Sequence, residues 1–399
     1  MEKLNINAKK ILLWHLFFIL GALLSSIFLN IYIWKETWDL KIVALFNIIL
    51  LFFMTIFFVV IGWIIKNKYR RFLYFFACLW EALTFLVLAI LGKESINYIY
   101  FIAIFQWIFA WAYRVIHHTN QIDNTKVANR WNFEWTLRSL VMILKFWTPI
   151  IAGFIISSFS YGYNIIFFLS FLAFLLSAFI GNIKINYPKN KLKYNLWETF
   201  KLLISTKIFL YILILQFLIA FMVGTPFVEK ILPLILYSFN NSESELGLLI
   251  WLFTLISIIG SYLLWKFFSK KLYKQIWIIF SLVYAFSLII IIIFPLYTIY
   301  WIFSAILLLS ITFISIPYKV ISDNAMWERK DFEKHRIEYI VIREIFLNAW
   351  RIFLLVILFF AWDMRQENLR FLLYTVFIIS LLYPVFYLQL FKETPKKAL

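Results

Sequence analysis

The chain has 399 residues, of which 64% are hydrophobic, 22% aromatic and only 15% charged, and its formal net charge is +18. That leaves too little polar surface to cover a water-soluble globule of this size, so a soluble enzyme or binding domain is excluded and an integral membrane protein is implied. The apolar blocks are too long and uniform for the weak alternation of a membrane β-barrel, which leaves α-helices as the way to satisfy the backbone in lipid.

After MEKLNINAKK, the apolar run 11–34 is long enough to span and lacks the short core and small-residue cleavage site of a secretory leader. It reads as the first span. Further spans are predicted at 42–65, 72–91, 98–116, 139–158 and 164–182. A lysine-rich connection, KINYPKNKLKYNLWETFKLLISTK, separates these from a second set at 208–231, 246–268, 276–295, 298–317, 341–362 and 370–391. The expected fold is therefore all-α, with twelve transmembrane helices in two six-helix bundles, 1–183 and 208–399, joined by a cytoplasmic central loop over 184–207.

Of the 38 Lys and Arg residues, six (Lys35, Lys41, Lys93, Lys230, Arg365 and Arg370) fall in connections after odd-numbered spans. Lys145 and Arg351 lie inside spans, and all the others gather at the N-terminus, around the even-numbered connections or in the C-terminal tail. Positively charged connections stay cytoplasmic, so both termini are expected inside a cytoplasmic membrane. The excess of positive charge is accounted for by anionic lipid head groups, and no motif for base recognition accompanies it. Membrane lipids are thus expected partners and nucleic acid is not. Trp34, Trp38, Trp63, Trp111, Trp131 and Trp265 fall at or beside predicted helix ends, as an interfacial belt requires. Cys78, the single cysteine, excludes an intramolecular disulfide and suits an inert buried thiol.

The two halves share a faint repeat. Tyr113-Arg114-Val115-Ile116 recurs as Tyr318-Lys319-Val320-Ile321, an offset of 205 that also maps Arg138 onto Arg343 and Lys145 onto Trp350, next to Arg351. Parallel six-helix repeats are an architecture built for alternating access.

The connection after the second span, GWIIKNKYRRF, resembles the loop motif G-x-x-x-D-R-x-G-R-R of the major facilitator superfamily, with Gly62, Arg70 and Arg71 on its first glycine and last two basic positions. Lys66, Asn67 and Tyr69 stand where the family has Asp, Arg and its second Gly, so the cytoplasmic gate that the Asp serves is expected to be built differently. WKFFSKK after Gly260 is a looser echo, and HRIEYIVIREIFLNAWR is similar to bacterial permeases of the same superfamily. What the resemblance implies is a divergent permease of that superfamily whose fourth, seventh and eleventh helices border a central cavity.

Ionisable groups inside a membrane are costly, roughly 2.5–3.5 kcal/mol each on insertion scales, and mark candidate function. EYIVIREIFLNAWRIFLLVILFF puts Glu344, Asn348 and Arg351 on one helical stripe, with Arg351 near the midplane. Arg351 reads as a counter-ion for an anionic solute oriented by Asn348, or as a structural cation held by Glu344 or Glu81. Lys145 is a second cation for the cavity or a side chain that snorkels to the interface. Gln106 and Gln216 either bind solute or bridge helices. Glu81 and His15 are the proton-coupling candidates; Glu81 paired with Lys145 or Arg351 would instead stay ionised. Glu344, Arg343 and Arg138, with Gly62, Arg70 and Arg71, are the gating candidates. HHTNQID, 117–123, is poorly spaced for a metal site, and no cofactor is expected. Gly224, Pro226 and Pro233 around Glu229-Lys230 suggest a bent outer end to the seventh span.

With no nucleotide-binding loop and no catalytic constellation, the expected function is secondary transport by a monomer. The solute is small and organic, anionic or zwitterionic, and protons or another ion supply the coupling. A drug or lipid exporter with an adaptable cavity, drawn from the 47 Phe, 22 Tyr and 18 Trp, stays open, as does a non-transporting assembly protein.

Overall fold

The computed structural model describes all residues except 1–5, 67–69, 107–111, 114–115, 118–126, 182–193, 223–230, 268–272, 328–331, 362–365 and 394–399. The apolar runs form helices α1 (Ile6–Thr37), α2 (Leu40–Lys66), α3 (Arg70–Leu91), α4 (99–106), α5 (Val127–Ser158) and α6 (Gly162–Gly181). A second series follows as α7 (Leu196–Ile204), α8 (Lys207–Met222), α9 (Leu232–Asn240), α10 (Glu243–Phe267), α11 (Tyr273–Ile293), α12 (Tyr297–Trp327), α13 (Phe332–Ala361) and α14 (Gln366–Glu393). Each of the twelve expected spans holds helix. Among the described residues, nine helices are long and apolar enough to cross a membrane by length and composition, or ten if the bent pair of α7 and α8 makes one span.

Four local features depart from the expectation. The connection expected over 184–207 contains α7, which meets α8 at 102°. The seventh span was expected to end at 231, but the apolar run Leu232–Tyr237 continues as the buried helix α9, stopped by Asn241 in the left-handed region (φ 51°). Helix α5 begins at Val127, so Arg138 lies inside it rather than ahead of it. Trp34, expected in the interfacial belt, is buried against Trp38, their ring centroids 4.9 Å apart, whereas Trp38 and Trp63 are exposed.

Glycine sets one corner. Gly92 (φ 50°) opens the short 3₁₀ turn that joins α3 to α4. The carbonyls freed there are taken up by neighbours: the Tyr32 hydroxyl donates to Gly92 O (2.6 Å), and Asn164 Nδ2 donates to Ala89 O (2.7 Å). At the other end of the chain, α13 is kinked at His335 (φ −113°, ψ 16°), inside the mixed-charge segment after the tenth span.

The described chain divides into two compact units. The first comprises Met1–Trp38, Leu45–Lys193 and Ser242–Trp251; the second comprises Asp39–Ala44, Tyr194–Asn241 and Leu252–Leu399. In the first, α1, α3 and α6 pack most closely, with Trp14 stacked on Tyr74 (4.3 Å) and Phe85 on Phe174 (5.5 Å). In the second, α11 packs on α12 and α14, and Trp277 stacks on Tyr383 (3.9 Å) and Tyr387 (3.3 Å) while its indole N–H donates to Ile314 O. Lipid supplies little hydrophobic drive between helices, so such interdigitated aromatic contacts, about 0.5–1.5 kcal/mol per pair, carry the packing.

Candidate functional site

In the first unit the polar candidates collect around α1 and α4. The Tyr113 hydroxyl hydrogen-bonds His15 Nδ1. His117 stacks on His15 with ring centroids 3.8 Å apart, and Phe18 stacks on Tyr113 at 3.4 Å. The Tyr74 ring lies 5.6 Å from that of Tyr113, and its hydroxyl is 2.8 Å from Ser177 Oγ, which donates to Trp14 O. His15 is therefore not the lone histidine the sequence suggested. Its partner His117 was considered only as a metal ligand, and among the described residues no group of three or more His, Cys, Asp or Glu could hold a metal ion.

Glu81 and Gln106 also come together. Both are buried, and their side chains hydrogen-bond. Within its own unit Glu81 thus has a neutral partner. Lys145 itself is exposed on α5, where a long stem can carry its ammonium to a polar region.

In the second unit the Tyr318 hydroxyl lies 3.0 Å from Ile212 O and 2.6 Å from Gln216 Oε1. One hydroxyl proton serves one acceptor, so both bonds form when the Gln216 amide turns to donate. On α13, Arg351 Nη1 donates to Asn348 Oδ1 (3.1 Å), and Asn348 is fully buried. Arg343 Nη2 lies 3.3 Å from Glu344 Oε1, the local pair expected for a gate. One turn closer to the kink, Glu338 is buried and accepts from the Asn195 backbone N–H (3.4 Å). Burial, reinforced by that carboxylate, holds the neighbouring Tyr194 hydroxyl well above its usual pKa and hence neutral.

One cluster escaped sequence reasoning. Glu243, in the first turn of α10 and only 6% exposed, accepts from Lys35 Nζ at the end of α1 (2.6 Å) and from the Tyr163 hydroxyl of α6 (3.0 Å). Beside it, α5 and α10 touch backbone to backbone: a Cβ at Gly153 would collide with Glu243 O, and one at Gly247 with Pro149 O. Small residues are what permit so close a crossing. A cavity of about 300 Å³ opens next to the cluster, lined by Tyr32, Lys35, Lys93, Tyr163 and Asn164, with Lys93 held 3.5 Å from Glu36.

Of the gating candidates, Gly62 is buried near the end of α2, and Arg70 and Arg71 begin α3. Residues 67–69 of the loop motif lie outside the described residues, as do Gly224, Pro226, Glu229 and Lys230.

No family model matches the chain. It is 25% identical over 335 residues, 84% of this chain and 77% of the relative, to the uncharacterised protein YqgE of Bacillus subtilis (strain 168). An uncharacterised protein in the sodM 3′ region of Geobacillus stearothermophilus is 27% identical over 153 residues, 38% of this chain and 72% of that one. Among solved structures, a D-xylose-proton symporter superposes with a TM-score of 0.73 at 13% identity, covering 98% of both chains. A bacterial metal transporter superposes at 0.68 and 14%, covering 98% and 99%, and the nucleoside transporter NupG at 0.64 and 12%, covering 97% and 100%. The chain has the major facilitator fold.

At such identities the likeness is one of architecture, and what the fold carries must be read from this chain's own side chains. The fold gives the 205-residue repeat a structural meaning, because Tyr113 and Tyr318 contact the first spanning helix of their own units.

Proposed function

We propose that the chain is a secondary transporter that moves a small organic solute, anionic or zwitterionic, across the cytoplasmic membrane by alternating access, with both termini cytoplasmic. The observation that carries this reading is the Asn348 and Arg351 pair on α13. A guanidinium offers five donors in a planar fork that matches a carboxylate or phosphate, and its bond to Asn348 fixes how that fork is turned. Holding such a charge in a span costs several kcal/mol, which favours a use for it. Lys145 is the second cation in this reading. The bonds of Gln106 to Glu81 and of Gln216 to Tyr318 favour a role for both in holding helices.

Protons are the coupling ion we favour, because Glu81 and the stacked His15 and His117 are titratable groups inside the first unit.

The test is flux or exchange of a panel of carboxylates, amino acids and phosphate esters in proteoliposomes, with and without a pH gradient. Arg351→Gln is expected to weaken anion binding by roughly ten- to hundredfold, as loss of a charge-assisted hydrogen bond does, while the protein stays monodisperse. Normal anion flux through the folded Arg351→Gln protein, or no flux of any solute through the folded parent, defeats the reading. Flux of bulky apolar compounds alone would favour the exporter.

A further inference from the structure

Helix α7 is short but well made. Asn195 caps it, accepting from the Glu198 backbone N–H and donating to the Glu198 carboxylate, both at 3.1 Å. One face is taken by α13: Thr199 and Leu203 are buried, Thr199 Oγ1 lies 3.1 Å from His335 Nδ1 at the kink, and the Phe200 ring stacks on Phe346.

The other face carries Trp197, Lys201 and Ile204, spaced so that they form a single stripe. Trp197 is 65% exposed and Ile204 44%, and the Lys201 ammonium sits 5.3 Å from the Trp197 ring centroid. A helix facing water alone has no reason to show this stripe. A helix lying in the plane of a bilayer does: Trp sits at head-group depth, the aliphatic residue below it, and a lysine stem runs along apolar surface with its charge turned to the head groups. The expected span 208–231 takes in α8, so the 102° bend between α8 and α7 turns α7 away from the membrane normal and toward the bilayer plane. Charge selects the leaflet, for residues 184–207 contain six lysines and a single acid, Glu198.

We propose that α7 is a membrane-surface helix that docks on anionic phospholipid head groups of the cytoplasmic leaflet through Trp197, Lys201 and Ile204, while its opposite face grips α13 at the His335 kink. The partner is the lipid surface itself.

Cys78 is fully buried, so thiols introduced at the surface can be labelled on the unaltered background. Trp197→Cys and Ile204→Cys, made separately in the full chain, would carry a nitroxide, and its collisions with oxygen and with a water-soluble nickel chelate would be compared in vesicles of phosphatidylcholine with and without phosphatidylglycerol. Both labels are expected to favour oxygen, more strongly in the anionic vesicles. Lys201→Gln should cut that anionic preference about fivefold, the effect of one lysine near an anionic surface, and Lys201→Arg should keep it. Free access of the chelate to both labels in both vesicles means a solvated helix and overturns the proposal. Exclusion of both collision partners means a covering protein and overturns it equally. Because Ile204→Cys leaves Trp197 in place, failure of one variant to fold leaves the other to decide.

Discussion

Tyr113 and Tyr318, 205 positions apart, make equivalent contacts: each turns its hydroxyl onto a polar side chain of the first spanning helix of its own unit, His15 on α1 and Gln216 on α8. Both tyrosines are buried and their partners partly so, so truncating either hydroxyl removes a bond that water replaces only in part. Tyr113→Phe and Tyr318→Phe are each expected to cost about 1 kcal/mol, lowering the unfolding temperature in detergent by a few degrees. Since they act in different units, the double variant should show the sum of the two losses. A double loss no larger than either single loss would mean that the contacts are not independent.

The crossing of α5 and α10 gives a sharper case. Gly153 and Gly247 have no room for a Cβ because the opposing atoms are carbonyl oxygens of the other helix. Gly153→Ala and Gly247→Ala should each cost about 1–3 kcal/mol, as overpacking does, and both should lower thermal stability. Gly260→Ala serves as the comparison, because the atom its Cβ meets first is the end of the Leu309 side chain, which can rotate aside. Equal losses at all three glycines would show that backbone contact is not the cause.

What could be read from the chain followed from period and sign. The stripe of Glu344, Asn348 and Arg351 rests on helical spacing, and the structure bonds Arg351 to Asn348 as the three-residue separation allows. The tyrosine repeat was legible because four consecutive residues nearly match. By contrast, α7 is nine residues long, and a window tuned to about 20 apolar residues passes over it. His15 and His117 stack from separate helices, and no local pattern announces such a pair. The bond between Lys35 and Glu243 joins residues 208 apart, both at predicted span edges where charge looks merely solvated.

Glu81 is the clearest place to separate coupling from structure. Glu81→Gln keeps the size and hydrogen-bonding capacity facing Gln106 but removes the titrating proton. Uphill uptake driven by an imposed pH gradient is expected to disappear, whereas exchange at equal pH continues. Glu81→Leu also strands the Gln106 amide and should destabilise the protein by about 1–3 kcal/mol. Gradient-driven uptake that survives Glu81→Gln would remove this residue from the coupling path.

The pair of Lys35 and Glu243 ties the first turn of α10 to α1, with Tyr163 of α6 holding the same carboxylate. Lys35 is partly exposed and its attraction is screened, so the pair itself is expected to contribute only about 1 kcal/mol. Breaking it is a different matter, because Glu243 is buried and would keep its charge with one partner fewer. Lys35→Gln should therefore destabilise more than Glu243→Gln, which retires the charge along with the bond. The exchange Lys35→Glu with Glu243→Lys should recover part of the loss, since the two ends can still meet although the Tyr163 bond is recast. Thermal unfolding of the parent, the two single Gln variants and their double Gln variant in one detergent, read as a double-mutant cycle, measures the coupling. A coupling indistinguishable from zero would make the 2.6 Å contact a neighbourly arrangement of charges rather than a tie.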